Sequence, residues 1–270
     1  MNDQTREHAF ESQIEAHLIT HGYESLSSKD YDTDRAFSPS VVLEFIQKTQ
    51  PKEWTRLEAL HAEKTSEIVL ADLAQWLDTY GTLAVLRNGF KCYGRTLRVA
   101  FFKPAHGMNP ELSARYVANR LGVIRQLRYS SRNTNELDLT LTINGLPVCT
   151  AELKNPLTGQ TVEDALEQYR QNRDHREKLF EFKKRALVHF AVDTEAVFMT
   201  TRLAGNATHF LPFNQGYEGG AGNPPRQDNT VEISRHSGRD RRNPDCRDAT
   251  NPCHPWSLGS GDPCRNDDDF

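Results

Sequence analysis

Residues 135–154 read NELDLTLTINGLPVCTAELK, and the reading of this stretch decides the fold. Apolar and polar residues alternate on both sides of Asn144-Gly145, the pattern of two strands around a turn. Leu137, Leu139, Leu141 and Ile143 are expected on one face, with Asp138, Thr140 and Thr142 on the other. On the return strand Cys149, Ala151 and Leu153 are expected in the core, while Thr150, Glu152 and Lys154 share the polar face. Register is the condition. A two-residue turn sets Asp138 opposite Ala151 and turns it away from Glu152. That register mixes leucines with carboxylates, so the pattern predicts an odd-length loop or a bulge near Gly145–Pro147.

With the faces so assigned, the charges form one constellation. Carboxylates from adjacent strands, Asp138 and Glu152, can hold Mg²⁺ with oxygen ligands, and the backbone carbonyl of Leu153 is a further donor between them. A bound metal of this kind offsets phosphate charge and lowers the pKa of a coordinated water. Lys154 can orient that water and stabilise charge developing on phosphorus. This is what a metal-dependent phosphodiesterase requires. Acid-x-lysine after a strand also recurs by chance, so a solvated hairpin face with a Glu–Lys pair stands as the alternative on spacing alone.

Working outward, the upstream sequence has helical periodicity. Residues 4–21 place Phe10, Ile14 and Leu18 on one stripe, bordered by Glu11 and Glu15 and stopped by Gly22. Residues 23–39 read as polar and irregular. Pro39 opens a second helix with Val41, Val42, Phe45 and Ile46 inward. A short helix carries Trp54 and Leu57, and a longer one spans 66–86 to Gly89. The period then shortens: 90–92 and 96–102 predict strands around Gly94, 110–120 a helix, and 124–129 a strand. Downstream, a helix is expected over 161–173, then strands at 187–192, 196–200 and 209–211. Helices followed by a mixed sheet with a crossing helix is an α/β (α+β) nuclease-like layout. The expected division is a folded region 1–223, with 1–89 mainly helical and 90–215 the catalytic sheet, and a tail 224–270.

The tail differs in kind. It is rich in Arg, Asp, Asn, Gly and Pro without periodic apolar residues, and such a composition cannot offset its chain entropy by burial. It holds Cys246, Cys253, Cys264 and His254, whose spacings match no zinc finger or knuckle, with a zinc site as the alternative reading. Cys92 and Cys149 read as reduced core residues. A net charge of −4 argues against a wholly basic nucleic-acid binder but leaves room for a local basic groove. No apolar run spans a membrane and the N-terminus lacks a signal peptide's apolar core, so a cytoplasmic protein is expected.

The stretch from Asn135 through ELKNPLTGQTVEDALEQYR and VHFAVDTEAVFMTTRLAG, then FLPFNQG and GAGNPP, closely resembles the N-terminal region of the restriction (R) subunits of type I restriction enzymes, over about residues 5–225. The resemblance implies a PD-(D/E)xK fold and Mg²⁺-dependent cleavage of double-stranded DNA, with Asp138, Glu152 and Lys154 as the catalytic acid, acid and lysine. It also implies a glutamine on the following helix, matched by Gln168. Asn172 stands where the family's tyrosine follows, and Tyr169 is adjacent instead. Nucleases of this fold often add a glutamate from the first helix, for which Glu15 is the better candidate and Glu11 the second. The implied partners are DNA and the methylation (M) and specificity (S) subunits. ATP belongs to the family's motor domains; no G-x-x-x-x-G-K-[ST] loop occurs in this chain. The tail resembles nothing in the family and reads as a truncated or out-of-frame end. A non-catalytic DNA- or subunit-binding fragment, or a remnant without function, is the competing reading. Arg170, Arg173, Arg176, Lys178, Lys183, Lys184 and Arg185 are expected to meet phosphates, or else to line an exposed helical connector.

Overall fold

The computed structural model describes residues 3–155 and 159–213. The expected tail and its cysteines lie outside them, as does the GAGNPP segment. The hairpin forms and lies at the centre of a seven-stranded sheet. Its strands are β5 (Glu136–Ile143) and β6 (Leu146–Leu153), flanked by β4 (Leu121–Arg128) and β1 (Tyr23–Leu26) on one side. On the other side are β7 (Val188–Val192), β8 (Val197–Thr200) and β9 (Leu211–Pro212), giving the order β1-β4-β5-β6-β7-β8-β9. The β1–β4 and β6–β7 pairs are parallel and the rest antiparallel. A separate two-stranded ribbon joins β2 (Phe90–Cys92) to β3 (Arg95–Leu97).

The register condition is met in an instructive way. Ile143 pairs with Leu146 and Thr142 with Pro147, so the loop is the tight two-residue one. Asn144 (φ 50°) and Gly145 (φ 86°) are both left-handed, the backbone whose twist suits a hairpin. Leu141 then pairs with Cys149, leaving Val148 as an extra residue, a bulge one position past the expected window. Pro147 has no N–H to give the ladder, which favours an irregularity there. The Val148 carbonyl accepts the Leu187 N–H (2.9 Å) instead. Beyond the bulge Thr140 faces Thr150 and Leu139 faces Ala151, which brings Asp138 level with Glu152.

The turn itself is buried against distant chain. The Asn144 side chain donates to the Val99 carbonyl (2.8 Å) and accepts the Arg120 N–H (2.7 Å). A Cβ on Gly145 would stand 2.8 Å from the Ser38 carbonyl oxygen, where helix α2 (Pro39–Thr49) begins. Gly145→Ala therefore combines left-handed strain with a backbone clash, and a loss of about 2 kcal/mol or more is expected by urea denaturation. Gly22→Ala, left-handed too but with nothing within 4 Å, is the control, at about 1 kcal/mol.

Two layers cover the sheet. Helix α1 (Asp3–Thr20) lays Phe10, Ile14 and Leu18 over Val123, Leu139, Leu141 and Leu153. The other face meets α7 (Val162–Glu167) and its continuation through Val162, Ala165, Leu166, Tyr169 and Phe180. A third cluster gathers α2, α3 (Pro51–His61), α4 (Thr65–Tyr80), α5 (Thr82–Asn88) and the ribbon, reaching the hairpin at Ile143, Leu146 and Val148. Helix α6 (Pro110–Val117) is capped by Asn109, whose side chain accepts from Glu111 and Leu112. Cys92 and Cys149 are free and buried.

Several expectations need correction. The supposedly irregular 23–39 contains β1, an edge strand too short to show a period. The helix expected over 66–86 is broken at Gly81 (φ 82°), where the Lys183 carbonyl takes the Thr82 N–H (2.8 Å). The strand expected over 96–102 ends at Leu97. The helix expected over 161–173 is α-helical only to Glu167 and becomes a π turn at Gln168–Asn172. The four apolar residues of β5 do not share a face. Leu139 and Leu141 lie under α1, Leu137 lies in the opposite layer with Tyr129, and Ile143 joins the third cluster. At the same level, between the Arg125–Leu139 and Leu127–Leu137 pairs, Gln126 of β4 adopts φ 46°.

Candidate active site

Asp138, Glu152 and Lys154 come together where β5 and β6 run out of paired ladder. The last β5–β6 pair is Leu139–Ala151. Past it, Asp138 Oδ2 accepts the Leu153 N–H at 2.7 Å, a side chain taking the place of a strand. The N–H and C=O of one extended residue point to the same edge of its strand. The Leu153 carbonyl therefore opens on the Asp138 side. The Lys154 N–H is held by the Val192 carbonyl (2.8 Å), which anchors the backbone of β6 on its other edge.

Glu152 has no exposed surface. Its Oε1 accepts Nε of Arg173 at 2.6 Å, and its Oε2 is buried without a hydrogen-bond partner among the described residues. Burial, and then the neighbouring Asp138 carboxylate, push the Glu152 carboxyl above its ordinary range; Arg173 and Lys154 oppose the rise. Burial likewise raises Asp138, against the pull of the Leu153 N–H; Glu11 adds to the rise, and Lys154 and Arg173 counter it. Two buried carboxyls, each raised by burial and by a neighbouring carboxylate, are a site prepared for a cation. The solvated hairpin face is not what the structure contains, since Thr140, Thr150 and Glu152 are all fully buried.

Of the two α1 glutamates, Glu11 is the one whose charge reaches Asp138. It is 4% exposed and held by Gln126 Nε2 (2.8 Å) and Arg125 Nη2 (3.1 Å). Glu15 instead accepts from Ser25 (2.7 Å) and Arg125 Nη1 (3.1 Å). The left-handed Gln126 of β4 is thus the residue that reaches back to Glu11.

Gln168 opens the π turn, and its Oε1 is a buried acceptor without a partner among the described residues. Tyr169 is no surface residue. It is fully buried, with its hydroxyl 2.9 Å from Thr150 Oγ1, which in turn meets His189 Nδ1 at 2.8 Å. This chain of polar groups lies on the Glu152 face of β6. Burial lowers the pKa of His189 from 6.5 to about 3. The unfolded chain takes up that proton near 6.5 and the folded chain only near 3. The stabilising effect is therefore complete above pH 6.5 and is lost as pH falls toward 3, by at most about 1.4 kcal/mol per unit. The raised carboxyls of Asp138 and Glu152 have the opposite sign: their contribution is present at low pH and is lost as pH rises through their folded values. Comparing urea midpoints at about pH 7 and 4.5, His189→Phe is expected to lose about 2 kcal/mol less on acidification than the parent chain.

The expected basic cluster does not form, and neither does the helical connector. Residues 174–185 run through turns. Arg173 is spent on Glu152, and Arg185, with no exposed surface, donates to the Arg35 and Lys184 carbonyls and pairs with Asp78 at 2.9 Å. Arg176, Lys178 and Lys184 pair with Asp174, Asp78 and Glu181. Arg170 and Lys183 lie over the rings of Phe210 and Phe182. Sequence reading missed the inward turn of Arg173, because a cationic residue in a run of cations carries no mark of which one will be buried.

The donor set is two carboxylates and a main-chain carbonyl. Among the described residues no group of three His, Cys, Asp or Glu is arranged to hold a metal. Mg²⁺ takes one or two carboxylates and keeps several waters, so this oxygen set fits it, and the unpartnered Glu152 Oε2 is a free donor atom for it. Among the described residues this donor set includes no Cys or His for a soft or nitrogen-seeking metal.

A seven-strand mixed sheet flanked by helices, with an N-terminal helical section, is consistent with a restriction-endonuclease-like fold. The family model described as "Type I restriction enzyme R protein N terminus" matches residues 4–208. The chain belongs to that family. No curated protein matches it. Among the described residues no helix is long and apolar enough to cross a membrane.

Proposed function

We propose that this chain carries the Mg²⁺-dependent DNA-cleaving site of a type I restriction R subunit, acting on double-stranded DNA in concert with M and S subunits. The observation that supports it most is the Val148 bulge. Without it the tight Asn144-Gly145 turn would set Asp138 level with Ala151; with it the register that ends at Leu139–Ala151 brings Asp138 level with Glu152. Asp138, Glu152 Oε2 and the Leu153 carbonyl hold the metal end. Bound there, Mg²⁺ would offset phosphate charge and lower the pKa of a coordinated water. Lys154 orients the attacking water and stabilises the charge that grows on phosphorus. Gln168, with its unpartnered carbonyl oxygen, contacts the substrate or that water from the π turn. Glu11, the helix glutamate that acts on Asp138, tunes the first carboxylate.

The test is cleavage of plasmid DNA by the full 270-residue chain with Mg²⁺, against Asp138→Ala and Lys154→Ala. Both variants are expected to lose cleavage by a factor of about 10³ or more. Equal behaviour of all three proteins would end the assignment. Salt-sensitive DNA binding that survives both substitutions, with no cleavage by any of them, would favour a binding module.

A further inference from the structure

We infer that Arg173 is a positioning residue for the metal end of the site: it fixes one oxygen of Glu152 and thereby presents the other. This rests on the proposed role of Glu152 as a metal ligand. Arg173 is 4% exposed, and its guanidinium makes two hydrogen bonds and a ring contact. Nε donates to Glu152 Oε1 at 2.6 Å. Nη2 donates to the Glu136 carbonyl at 2.7 Å, on β5 two residues before Asp138. The plane lies over the Tyr129 ring, 5.7 Å from its centre. One planar group therefore ties the second carboxylate to the strand that carries the first.

The contact to Glu152 is single, through Nε alone. A bidentate fork would have covered both carboxylate oxygens and closed the site. Here Oε2 is left buried and without a hydrogen-bond partner among the described residues. A guanidinium is donor-only and permanently charged, so it cannot ligate a cation itself; it can only hold the group that does. The local chain is shaped for this. Arg173 follows the π turn directly and is extended (φ −110°, ψ 95°). The wider turn and the extended residue after it lead the chain out of the helix at the point where Arg173 turns inward. Single-turn π segments of this kind recur at functional sites. A merely structural staple would hold the fold equally well but would leave metal affinity unchanged.

The experiment is calorimetric titration of the full chain with Mn²⁺ in the absence of DNA, with near-UV circular dichroism to confirm packing. Arg173→Met is expected to weaken Mn²⁺ binding by about 10–100-fold, the usual effect of losing a group that orients a ligand. Arg173→Lys keeps the buried charge but not the planar fork. It is expected to fold, and to bind about tenfold more weakly than the parent chain, so it carries the test if Arg173→Met does not pack. Parent-like affinity in whichever of the two folds reduces Arg173 to a staple and overturns the inference. Failure of the underlying reading looks different: the parent chain itself takes up no Mn²⁺, or Asp138→Asn and Glu152→Gln bind it as the parent does. In that case Glu152 has no metal to be aimed at, and the inference falls with it.

Discussion

Deletion of Val148 is expected to keep Mg²⁺-dependent cleavage and to cost about 2–3 kcal/mol of stability. The bulge is the single residue by which β6 is out of step with its own turn. Once it is removed, Cys149 follows Pro147 directly, and the pairs from Leu141–Cys149 to Leu139–Ala151 are kept without a bulge, so Glu152 stays level with Asp138. What is lost is the packing of Val148 against the helical cluster and the bond its carbonyl accepts from the Leu187 N–H (2.9 Å). Val148→Ala is the matched control. It keeps the extra residue and loses only part of the packing against the helical cluster, so about 1 kcal/mol and near-parental cleavage are expected. Urea denaturation and plasmid cleavage on the same preparations decide it; a deletion that folds but no longer cleaves would remove the Asp138–Glu152 register from the account.

Glu152→Ala is expected to destabilise the fold by about 3–5 kcal/mol, an unusual result for removing a site carboxylate. The reason is Arg173, whose charge would remain buried with no partner. Glu152→Ala combined with Arg173→Met removes both charges and should cost clearly less than the sum of the two single changes, by about 1–3 kcal/mol of coupling. The four proteins of that cycle, compared by urea denaturation, measure the pair directly. Additive losses would mean that the 2.6 Å contact does not carry the energy.

These expectations depend on residues of different legibility. The hairpin, its face assignment at Glu152 and the three charged residues were readable because period and turn chemistry act over a few residues. The bulge was readable too, as a conflict between the turn that Asn144-Gly145 prefers and the register that the leucines require. Tyr169 was visible only as a mismatch to the family's glutamine–tyrosine spacing; the π turn and Thr150 give it a buried place. The edge strand β1 was hidden by its brevity, because its two packed residues, Tyr23 and Leu26, enclose the exposed Glu24 and Ser25 and leave no alternation to read. The broken 66–86 helix depends on the Lys183 carbonyl, which arrives from a hundred residues away.

The amino-acid order by itself determined which elements form near residues 135–154 and which side chains could do chemistry there, since both follow from short-range geometry and residue type. Only the tertiary structure decided which charges are buried and paired. In a run of exposed-looking cations Arg173 turns in to Glu152 and Arg185 to Asp78, and Glu11 rather than Glu15 acts on Asp138. The physical reason is that these outcomes are electrostatic and steric balances among residues far apart in the chain. Desolvating a charge is tolerable only where a distant segment supplies its counter-charge, and no local pattern records where that segment will lie.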